Sequence, residues 1–436
     1  MIKINTIDKE LLELCYKDFI SKKAIYDKMY SYFKGDTDAM KDYKMITSRS
    51  NSKVDVNFFK KFLKEEVSYS VGNDINYTSL GDDVELEEEV LKDIRYYLAH
   101  IPSDHDIDLF KDMLIYSISY ELYSFDNNGD FNMTVLTPNE SYLYENELGE
   151  IEFFMHVYKK RFTDEIVIKV YTNQEIIFYN EHYKEWDRKR HNFKSVPVGV
   201  ARVSDELEDD SIYKDIKGLQ DAYEIVISDA VNEISDFRNA YLTLSGVQID
   251  DKDLPKMKED GIMQFPNAEG KAAWLTKEIN DTFIQNTLDN LESKMYEITN
   301  HINFNEKMHS NTSSLAIKAR LTALSQKCGV QEKAFANCVQ TRIKFLFEYI
   351  EFITNTKYKG DWRNIVVKFT PNLPSDDLGT AQLISQLDGK VSTQTLLSLL
   401  SFIENPESEM EKVESEYEKL YGSELDVLET VDDVVE

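Results

Sequence analysis

Apolar residues recur every three or four positions along three long stretches in the second half of the chain. The first stretch, residues 209–241, predicts an amphipathic helix of about 30 residues. The second, residues 277–302, has similar spacing, so the two together predict an αα-hairpin. A third stretch begins near Ser314 and extends to Phe352, with a predicted bend at Gly329. The apolar positions of the first stripe are Ile212, Ile216, Leu219, Tyr223, Val226, Ala230, Ile234, Phe237 and Tyr241.

The segments that follow the first and second helices differ in composition. Residues 242–249, 262–265 and 272–275 are short apolar or β-rich runs bounded by glycine and proline, and they predict a small α/β tip. Residues 303–314 consist largely of Asn, Ser, Thr, Lys and His, which is too polar for a packed core. We therefore expect an exposed loop between the second and third long helices.

The first half of the chain changes from helical to extended patterns. Residues 3–33, 54–71 and 104–123 have helical spacing, and a polar segment lies between the first two. From residue 131 to residue 203 the chain consists of short β-rich runs separated by turn-forming residues. This region predicts an antiparallel meander.

The chain after the third long helix is mostly helical. Residues 364–370 predict one strand, and residues 376–387 and 392–403 predict two helices. Pro406 opens a last amphipathic helix, and residues 423–436 form an acidic tail. Together the patterns predict an α+β protein.

The formal net charge of the 436-residue chain is −30, from 80 acidic and 50 basic residues. Phosphate contacts come from Lys and Arg, so this balance argues against a protein that grips nucleic acid with its whole surface. It does not argue against a surface that DNA merely passes. An aromatic content of 12% indicates a folded chain rather than a solvated, disordered one.

Cysteine usage and hydropathy suggest where the protein is made. The three cysteines have neither paired nor metal-binding spacing, and we expect reduced thiols in a chain made in a reducing cytosol. The sequence has no run of about 18 apolar residues and no N-terminal signal-peptide pattern. We expect a protein that neither spans a membrane nor is secreted by that route.

The motifs of common enzymes and cofactor sites are missing from the sequence. It has no phosphate-binding loop, no dinucleotide fingerprint and no Gly-x-Ser-x-Gly elbow. Residues 126–130 resemble part of a calcium loop. However, Phe131 and Thr137 occupy the positions where an EF-hand needs Gly and a bidentate Glu, so a hairpin turn is favoured. The acidic run at 82–89 is typical of a solvated helix start. We expect no enzymatic activity, no cofactor and no metal.

Several motifs in the first half match one known family. They are Tyr-Ser-Tyr-Phe-Lys-Gly at 30–35, the helical stretch at 57–72 and Leu-Thr-Pro-Asn-Glu at 136–140. The most specific stretch, residues 218–246, contains Asp-Ala-Tyr, Ser-Asp, Asn-Glu and Asp-Phe and ends at Gly246. In this order the motifs resemble the portal proteins of tailed bacteriophages, in particular the SPP1-like family.

The resemblance continues through the second half. Thr-Ser-Ser-Leu-Ala-Ile-Lys at 312–318 is similar to the exit of the family's tunnel loop, and Asn-Leu-Pro at 372–374 with Asp376 is similar to the join with its last domain. The family often has Ser-Gly at the loop exit, where this chain has Ser313-Ser314. Without that glycine, the loop backbone has less conformational freedom than in relatives.

The resemblance implies a portal fold assembled into a ring. It consists of a wing with helices and an antiparallel sheet, a two-helix stem, a small α/β clip and a helical crown. Laid on this chain, the implied regions are a wing at 1–208, a stem helix at 209–241, a clip at 242–276, a second stem helix at 277–302, a tunnel loop at 303–313, a long kinked wing helix and wing strand at 314–374, and a crown with the acidic tail at 375–436.

The resemblance also implies site residues in three regions. DNA-facing residues of the tunnel loop would be Asn303, Asn305, Lys307, His309, Asn311 and Ser313. Packing residues of the stem would be Ile216, Tyr223, Ala230, Phe237, Phe283, Leu291 and Met295. Clip residues would be Gly246, Ile262, Phe265 and Trp274.

The implied function is passage of double-stranded DNA through a homo-oligomeric, usually dodecameric ring at one capsid vertex. The implied partners are the terminase large subunit, the major capsid and scaffolding proteins and a head-completion adaptor, in a virion made in a bacterial cytoplasm. An acidic channel wall limits phosphate binding and hence friction, with Lys307 as the candidate transient contact.

Two other functions compete with this one. The same helices would also suit a structural or scaffolding protein without a channel. A metal-dependent nuclease built on Asp and Glu clusters is the enzymatic alternative, which the lack of paired carboxylate positions disfavours.

Overall fold

The computed structural model describes most of the chain. The described residues are 7–44, 51–126, 128–204, 206, 210–237, 241–245, 271–275, 281–303, 314–372, 377–387, 389–397, 400, 409–410, 412–413 and 415–416. They fall into two compact units. The larger unit contains residues 1–311 and 318–371, and the smaller one contains residues 312–317 and 372–436.

Five helices open the larger unit. They are α1 (Lys9–Lys34), α2 (Asp38–Asp42), α3 (Phe58–Val71), α4 (Val84–Leu98) and α5 (His105–Tyr116). Helix α1 ends at Gly35, whose backbone is left-handed with φ 94°, a conformation that favours glycine. The Asn57 side chain caps α3 by accepting a hydrogen bond from the amide of Lys60. Helices α1, α3 and α5 pack against one another.

One prediction for this region was wrong in part. The helix expected at 104–123 stops at Tyr116, because Ser117 is left-handed with φ 63° and the following residues form a strand. That strand pairs with neighbours on both sides, and this tertiary pairing overrides the helical spacing of its residues. The polar segment after α1 contains the short helix α2, capped by the Thr37 hydroxyl.

Eight strands follow α5 and form two antiparallel sheets. They are β2 (Ile118–Phe125), β3 (Phe131–Leu136), β4 (Ser141–Glu145), β5 (Ile151–Lys159), β6 (Ile166–Tyr171), β7 (Glu175–Asn180), β8 (Glu185–Arg190) and β9 (Val198–Arg202). Strands β4 to β8 pair in sequence order, which confirms the predicted meander for these five strands. Strands β3 and β9 instead flank β2 in a separate three-stranded sheet.

A short sheet joins distant parts of the larger unit. Strand β1 (Asn76–Ser79) pairs antiparallel with β12 (Ile365–Lys368), which lies where the sequence predicts a strand at 364–370. The pairing links the chain before α4 to the chain after the third long helix.

The long helical patterns form an antiparallel pair and a single long helix. Helix α6 (Ile212–Phe237) packs against α7 (Asp281–Thr299), and strands β10 (Tyr241–Ser245) and β11 (Lys271–Leu275) pair antiparallel between them in sequence. Helix α8 (Ser314–Thr354) has 41 residues and continues through Gly329. In the smaller unit, the described helices are α9 (Asp377–Leu387) and α10 (Thr393–Leu397).

The main apolar core lies where α1, α3, α5 and α8 meet the three-stranded sheet. All three cysteines are buried free thiols, and burial raises the pKa of Cys15 to about 11. Within the part of the chain that the structure describes, no helix is long and apolar enough to cross a membrane.

Candidate functional site

Most of the predicted loop and clip residues lie outside the described residues. In the loop, Asn303 is described, and its amide donates to a carboxylate oxygen of Glu292 at 2.9 Å. The backbones of Phe237 and Trp274 lie in α6 and β11, but their side chains are not described. The predicted residues outside the described part of the chain are Asn305, Lys307, His309, Asn311, Ser313, Gly246, Ile262 and Phe265.

The predicted stem residues differ in burial within one chain. Ile216 and Met295 are fully buried in the main core. Tyr223 is half-buried and packs edge-on against Phe58, with ring centroids 5.2 Å apart. Ala230 and Leu291 are also half-buried, whereas the side chain of Phe283 is 68% exposed. Whether these residues pack between subunits stays a prediction.

The face of α6 that is buried beyond Ile216 is polar. Gln220, Glu224, Ser228 and Asn232 follow one another at intervals of four residues, and each has no exposed surface. Residues four apart lie on one side of a helix, so these side chains form a single row. We call this row the polar ladder.

The polar ladder binds the first turn of α3 and the chain segment that precedes it. The Gln220 side-chain oxygen accepts from the Phe59 amide at 3.1 Å, and Glu224 accepts from the Val56 amide at 3.3 Å. Ser228 and Asn232 accept from the amides of Val54 and Ser52 at 3.0 and 2.7 Å. Each rung therefore accepts from a backbone N–H that lacks a helix or sheet acceptor: Phe59 lies in the first turn of α3, and the other three residues precede that helix.

Residues of the α1–α2 region reinforce both ends of the ladder. The Asn232 amide donates to the Tyr43 hydroxyl at 3.0 Å, and Tyr43 donates to Asp229 at 2.6 Å. Nearer the start of α6, Lys217 pairs with Asp38 at 2.9 Å and with Asp221 at 3.1 Å. These contacts hold one side of α6 against the N-terminal helices.

Two carboxyl groups meet at the middle of the ladder. Burial raises the pKa of Glu224 to about 7, although hydrogen bonds from Thr37 and Val56 oppose that rise. Burial also raises the pKa of Asp55, whose carboxyl is hydrogen-bonded to Glu224. The pair accordingly retains a proton at a higher pH than isolated carboxyl groups do.

A second buried polar cluster lies at the start of the predicted tunnel loop. Glu66 of α3 pairs with Lys327 of α8 at 2.7 Å and accepts from Gln331 at 2.7 Å. Lys327 also donates to the carbonyl of Thr299, the last residue of α7. The cluster thus connects α3, the end of α7 and α8 at the point where the loop leaves α7.

His301 belongs to the same junction. Its ring stacks on Phe62 with centroids 4.4 Å apart, and its nitrogens face the carbonyls of Phe62 and Thr299. Burial and the nearby Lys327 lower the pKa of His301 to about 3, so the ring is neutral at pH 7 and donates to one carbonyl. His301 is therefore a buried hydrogen-bonding group of this junction.

A third buried cluster fixes the middle of α8. Arg342 is 2% exposed and donates to both oxygens of Glu121 in β2 and to Asp106 in α5. The imidazole of His105 lies 2.6 Å from the same Glu121 carboxylate. Burial opposes ionisation of Glu121, but Arg342 and His105 outweigh it and lower its pKa to about 2.

The clusters differ from what the sequence predicted for α6. The spacing of apolar residues predicts the apolar stripe of α6 but not the polar row beside it. Its signal was present as Gln, Glu, Ser and Asn at a spacing of four. No group of three or more His, Cys, Asp or Glu side chains that could hold a metal ion occurs among the described residues.

Comparison with known proteins identifies the family. The model of the family "Phage portal protein, SPP1 Gp6-like" matches residues 12–420. The portal protein of Bacillus phage SPP1 is 22% identical over 454 residues, which cover 95% of this chain and 84% of that protein. The portal protein of Clostridium phage phiCD119 is 24% identical over 244 residues, covering 54% of this chain and 51% of that protein.

One solved structure adds a distant likeness. A chain from the neck of an empty GTA particle superposes with a TM-score of 0.49 and 10% identity, covering 78% of this chain and 88% of that one. The family assignment rests on the sequence match, which extends over residues 12–420. With a family model that spans nearly its whole length, this chain belongs to the SPP1 Gp6-like family of phage portal proteins.

Proposed function

We propose that copies of this chain form a closed ring, a dodecamer, at one capsid vertex of a tailed bacteriophage, and that double-stranded DNA enters and leaves through its channel. The observation that carries this proposal is the match of the portal family model to residues 12–420. The wing, stem, clip, tunnel loop and crown have the boundaries given by the sequence.

Exposed apolar side chains on the stem helices support ring formation. On α6, Ile225 and Ile234 are 40% and 61% exposed, and on α7, Phe283 and Ile298 are 68% and 47% exposed. Burial of apolar surface is favourable by about 25 cal/mol per Å², so a neighbouring subunit that covers these side chains stabilises the assembly. A ring supplies such a neighbour to every copy.

The net charge supports weak contact with DNA. Each phosphate that a fixed cation neutralises adds salt-dependent affinity, which opposes movement of the duplex. A subunit with a formal charge of −30 limits such contacts, and screening over about 8 Å confines repulsion to close approach. The tunnel loop at 303–313, with Lys307, supplies the transient contacts.

The partners follow from the same proposal. The clip at 242–276 docks the terminase large subunit during packaging and a head-completion adaptor afterwards. The wing and crown contact the major capsid and scaffolding proteins, and the assembled protein resides in the virion after synthesis in the bacterial cytoplasm.

Electron microscopy of the purified protein tests the ring. We expect annular particles with a central hole, and a monodisperse monomer at high concentration contradicts the proposal. Phage production with Lys307→Gln and with loop deletions tests the channel. Reduced DNA packaging or retention is expected, whereas unchanged packaging and retention contradict the role of the loop.

A further inference from the structure

The apolar core covers only part of one face of the five-stranded sheet. The face toward α1 is packed throughout, with Phe153, Met155 and Ile168 buried against that helix. On the opposite face, Phe154 and Tyr171 join the main core. The remainder of that opposite face contains lysine and aromatic side chains that are half-buried or exposed.

These side chains contact one another across four strands. We call the set Tyr158, Lys169, Phe178, Trp186 and Lys189 the lysine–aromatic face. The Lys169 ammonium lies 5.0 Å from the ring centre of Tyr158 and 5.5 Å from that of Phe178. The Lys189 ammonium lies 5.6 Å from Phe178, and the rings of Phe178 and Trp186 are 5.4 Å apart.

The positive charges of this face are weakly balanced. In the part of the chain that the structure describes, Lys169 forms no ion pair, and the nearest carboxylate to Lys189 is that of Asp187 at 3.8 Å. The Lys189 side chain is 64% exposed. Residues 151–194 contain nine Lys and Arg against seven Asp and Glu, whereas the whole chain has a formal charge of −30. Residues 151–194 therefore have a formal charge of +2 within an acidic chain, and Lys169 and Lys189 are the cations of this segment that lie on the lysine–aromatic face.

Protection of a sheet edge explains only part of this charge. Strand β8 is the outer strand of the sheet, and lysines on an outer strand discourage pairing between copies. That role fits Lys189. It does not fit Lys169, because β6 is paired on both sides, by β5 and β7.

The arrangement of rings and ammonium groups indicates the class of ligand. Lys169 lies over the rings of both Tyr158 and Phe178, so these ring surfaces are less open for base stacking, which is how single-stranded nucleic acids bind aromatic residues. The ammonium groups retain donors for anions. Trp186, which is 55% exposed, adds an apolar surface beside them.

We propose that the lysine–aromatic face binds an acidic peptide segment of another protein, with carboxylates on Lys169 and Lys189 and apolar side chains against Phe178 and Trp186. A peptide that alternates the two kinds of side chain satisfies both features of the face. Duplex DNA keeps its bases stacked and contacts proteins mainly through phosphates, which offer no apolar partner to Phe178 and Trp186. This proposal does not depend on ring formation or on the channel.

Fluorescence anisotropy with the full-length protein tests the proposal. The probe is a fluorescein-labelled peptide that alternates Glu and Val, compared with the same peptide with Gln in place of Glu and with a labelled DNA duplex. We expect binding of the Glu peptide, and weaker binding of both other probes. Binding of the duplex alone, or equal binding of the Glu and Gln peptides, overturns the proposal.

A charge-removing double variant locates the site. An exposed ion pair contributes up to about 1 kcal/mol, so Lys169→Gln with Lys189→Gln is expected to weaken Glu-peptide binding about tenfold. The matched control replaces two exposed lysines elsewhere, Lys9→Gln with Lys294→Gln. Circular dichroism checks that both variants fold, and equal affinities of the two variants for the peptide overturn the proposal.

Trp186→Ala separates the apolar contribution from the charges. We expect weaker binding of the Glu–Val peptide and little change for a peptide in which Ser replaces Val. Unchanged binding of both peptides to Trp186→Ala contradicts the part of the proposal that assigns Trp186 to the ligand.

Discussion

Helices α6 and α8 are both anchored to the N-terminal helices and strands, but by different chemistry. On α8, large apolar side chains such as Phe335 and Ile343 are fully buried around the ionised Arg342. On α6, the fully buried side chains beyond Ile216 are the neutral or protonatable groups of the polar ladder. One helix is fixed by a core with a paired charge, and the other by hydrogen bonds to the irregular segment at 52–56 and the start of α3.

The difference indicates how each helix responds to change. A buried ion pair is costly to break because the remaining charge has no partner. Each hydrogen bond of the ladder contributes only about 1 kcal/mol net to stability, and the stabilisation is divided among several such bonds. We infer that the outer part of α6 opens more readily than the middle of α8.

The largest effect is expected from breaking the charge cluster of α8. Arg342→Met leaves Glu121 buried without its main partner, and we expect a loss of about 3–5 kcal/mol in the free energy of unfolding. Urea unfolding of the purified chain, followed by tryptophan fluorescence, measures it.

A double variant serves as the control for that experiment. Adding Glu121→Gln to Arg342→Met removes the unpaired charge, and we expect it to recover part of the lost stability. If the double variant is as unstable as the sum of the two single variants, the pairing of these two charges does not explain the effect.

A smaller effect is expected at the end of the ladder. Asn232→Ala removes hydrogen bonds to the Ser52 backbone and the Tyr43 hydroxyl, and a loss of about 2 kcal/mol is expected. Ser228→Ala, which removes the acceptor of the Val54 amide, should cost about 1 kcal/mol. Hydrogen exchange should become faster at Ser52 and Val54 in these variants and remain unchanged in α8. Equally faster exchange in α8 would contradict the inference that α6 opens independently of α8.

The middle of the ladder should make stability depend on pH. The pKa of Glu224 is about 7 in the folded chain, above its ordinary value of 4.5, so the folded state binds more protons between these values. Stability therefore falls as pH rises from 4.5 to about 7 and levels off above it. Glu224→Gln should reduce this slope and stabilise the chain at pH 8 by about 1–2 kcal/mol.

Thermal unfolding measured at several pH values checks this prediction. Asp55 also has a raised pKa, so some pH dependence should survive in Glu224→Gln and decrease further in a variant that adds Asp55→Asn. A slope identical to that of the unmodified chain would show that Glu224 does not carry the extra proton.

The smallest effect on the folded subunit is expected at the exposed stem surface. Phe283→Ser should change the free energy of unfolding of the single chain by less than about 0.5 kcal/mol, because most of the side chain is exposed to water. Mass photometry should nevertheless show fewer rings. Thr282→Ser, an exposed neighbour on the same helix, is the matched control, and unchanged ring formation by Phe283→Ser would argue against a subunit contact there.

The sequence predicted α7, α8 and the five-stranded meander well, because their periodicity is long and regular. It failed where tertiary contacts decide the outcome. Residues 118–123 look helical by spacing but form the central strand of a sheet. The sequence does not predict the polar ladder, because most of its partners lie in the irregular segment at 52–56. No local pattern in either segment indicates that the two are in contact. Arg342 and Glu121 are likewise 221 residues apart in the sequence.

The polar ladder also constrains the length of the segment that it binds. Four residues of helix rise about 6.0 Å, and two residues of extended chain span about 6.6 Å. Side chains four residues apart on α6 can therefore bind every second amide of the segment. The pairs are Glu224 with Val56, Ser228 with Val54 and Asn232 with Ser52. Because the two spacings are nearly equal, the helix and the segment stay in register over the three contacts. Inserting one residue between Ser52 and Val56 turns the amides beyond it away from α6, whereas inserting two keeps them facing the helix, so natural length variation here should occur in steps of two.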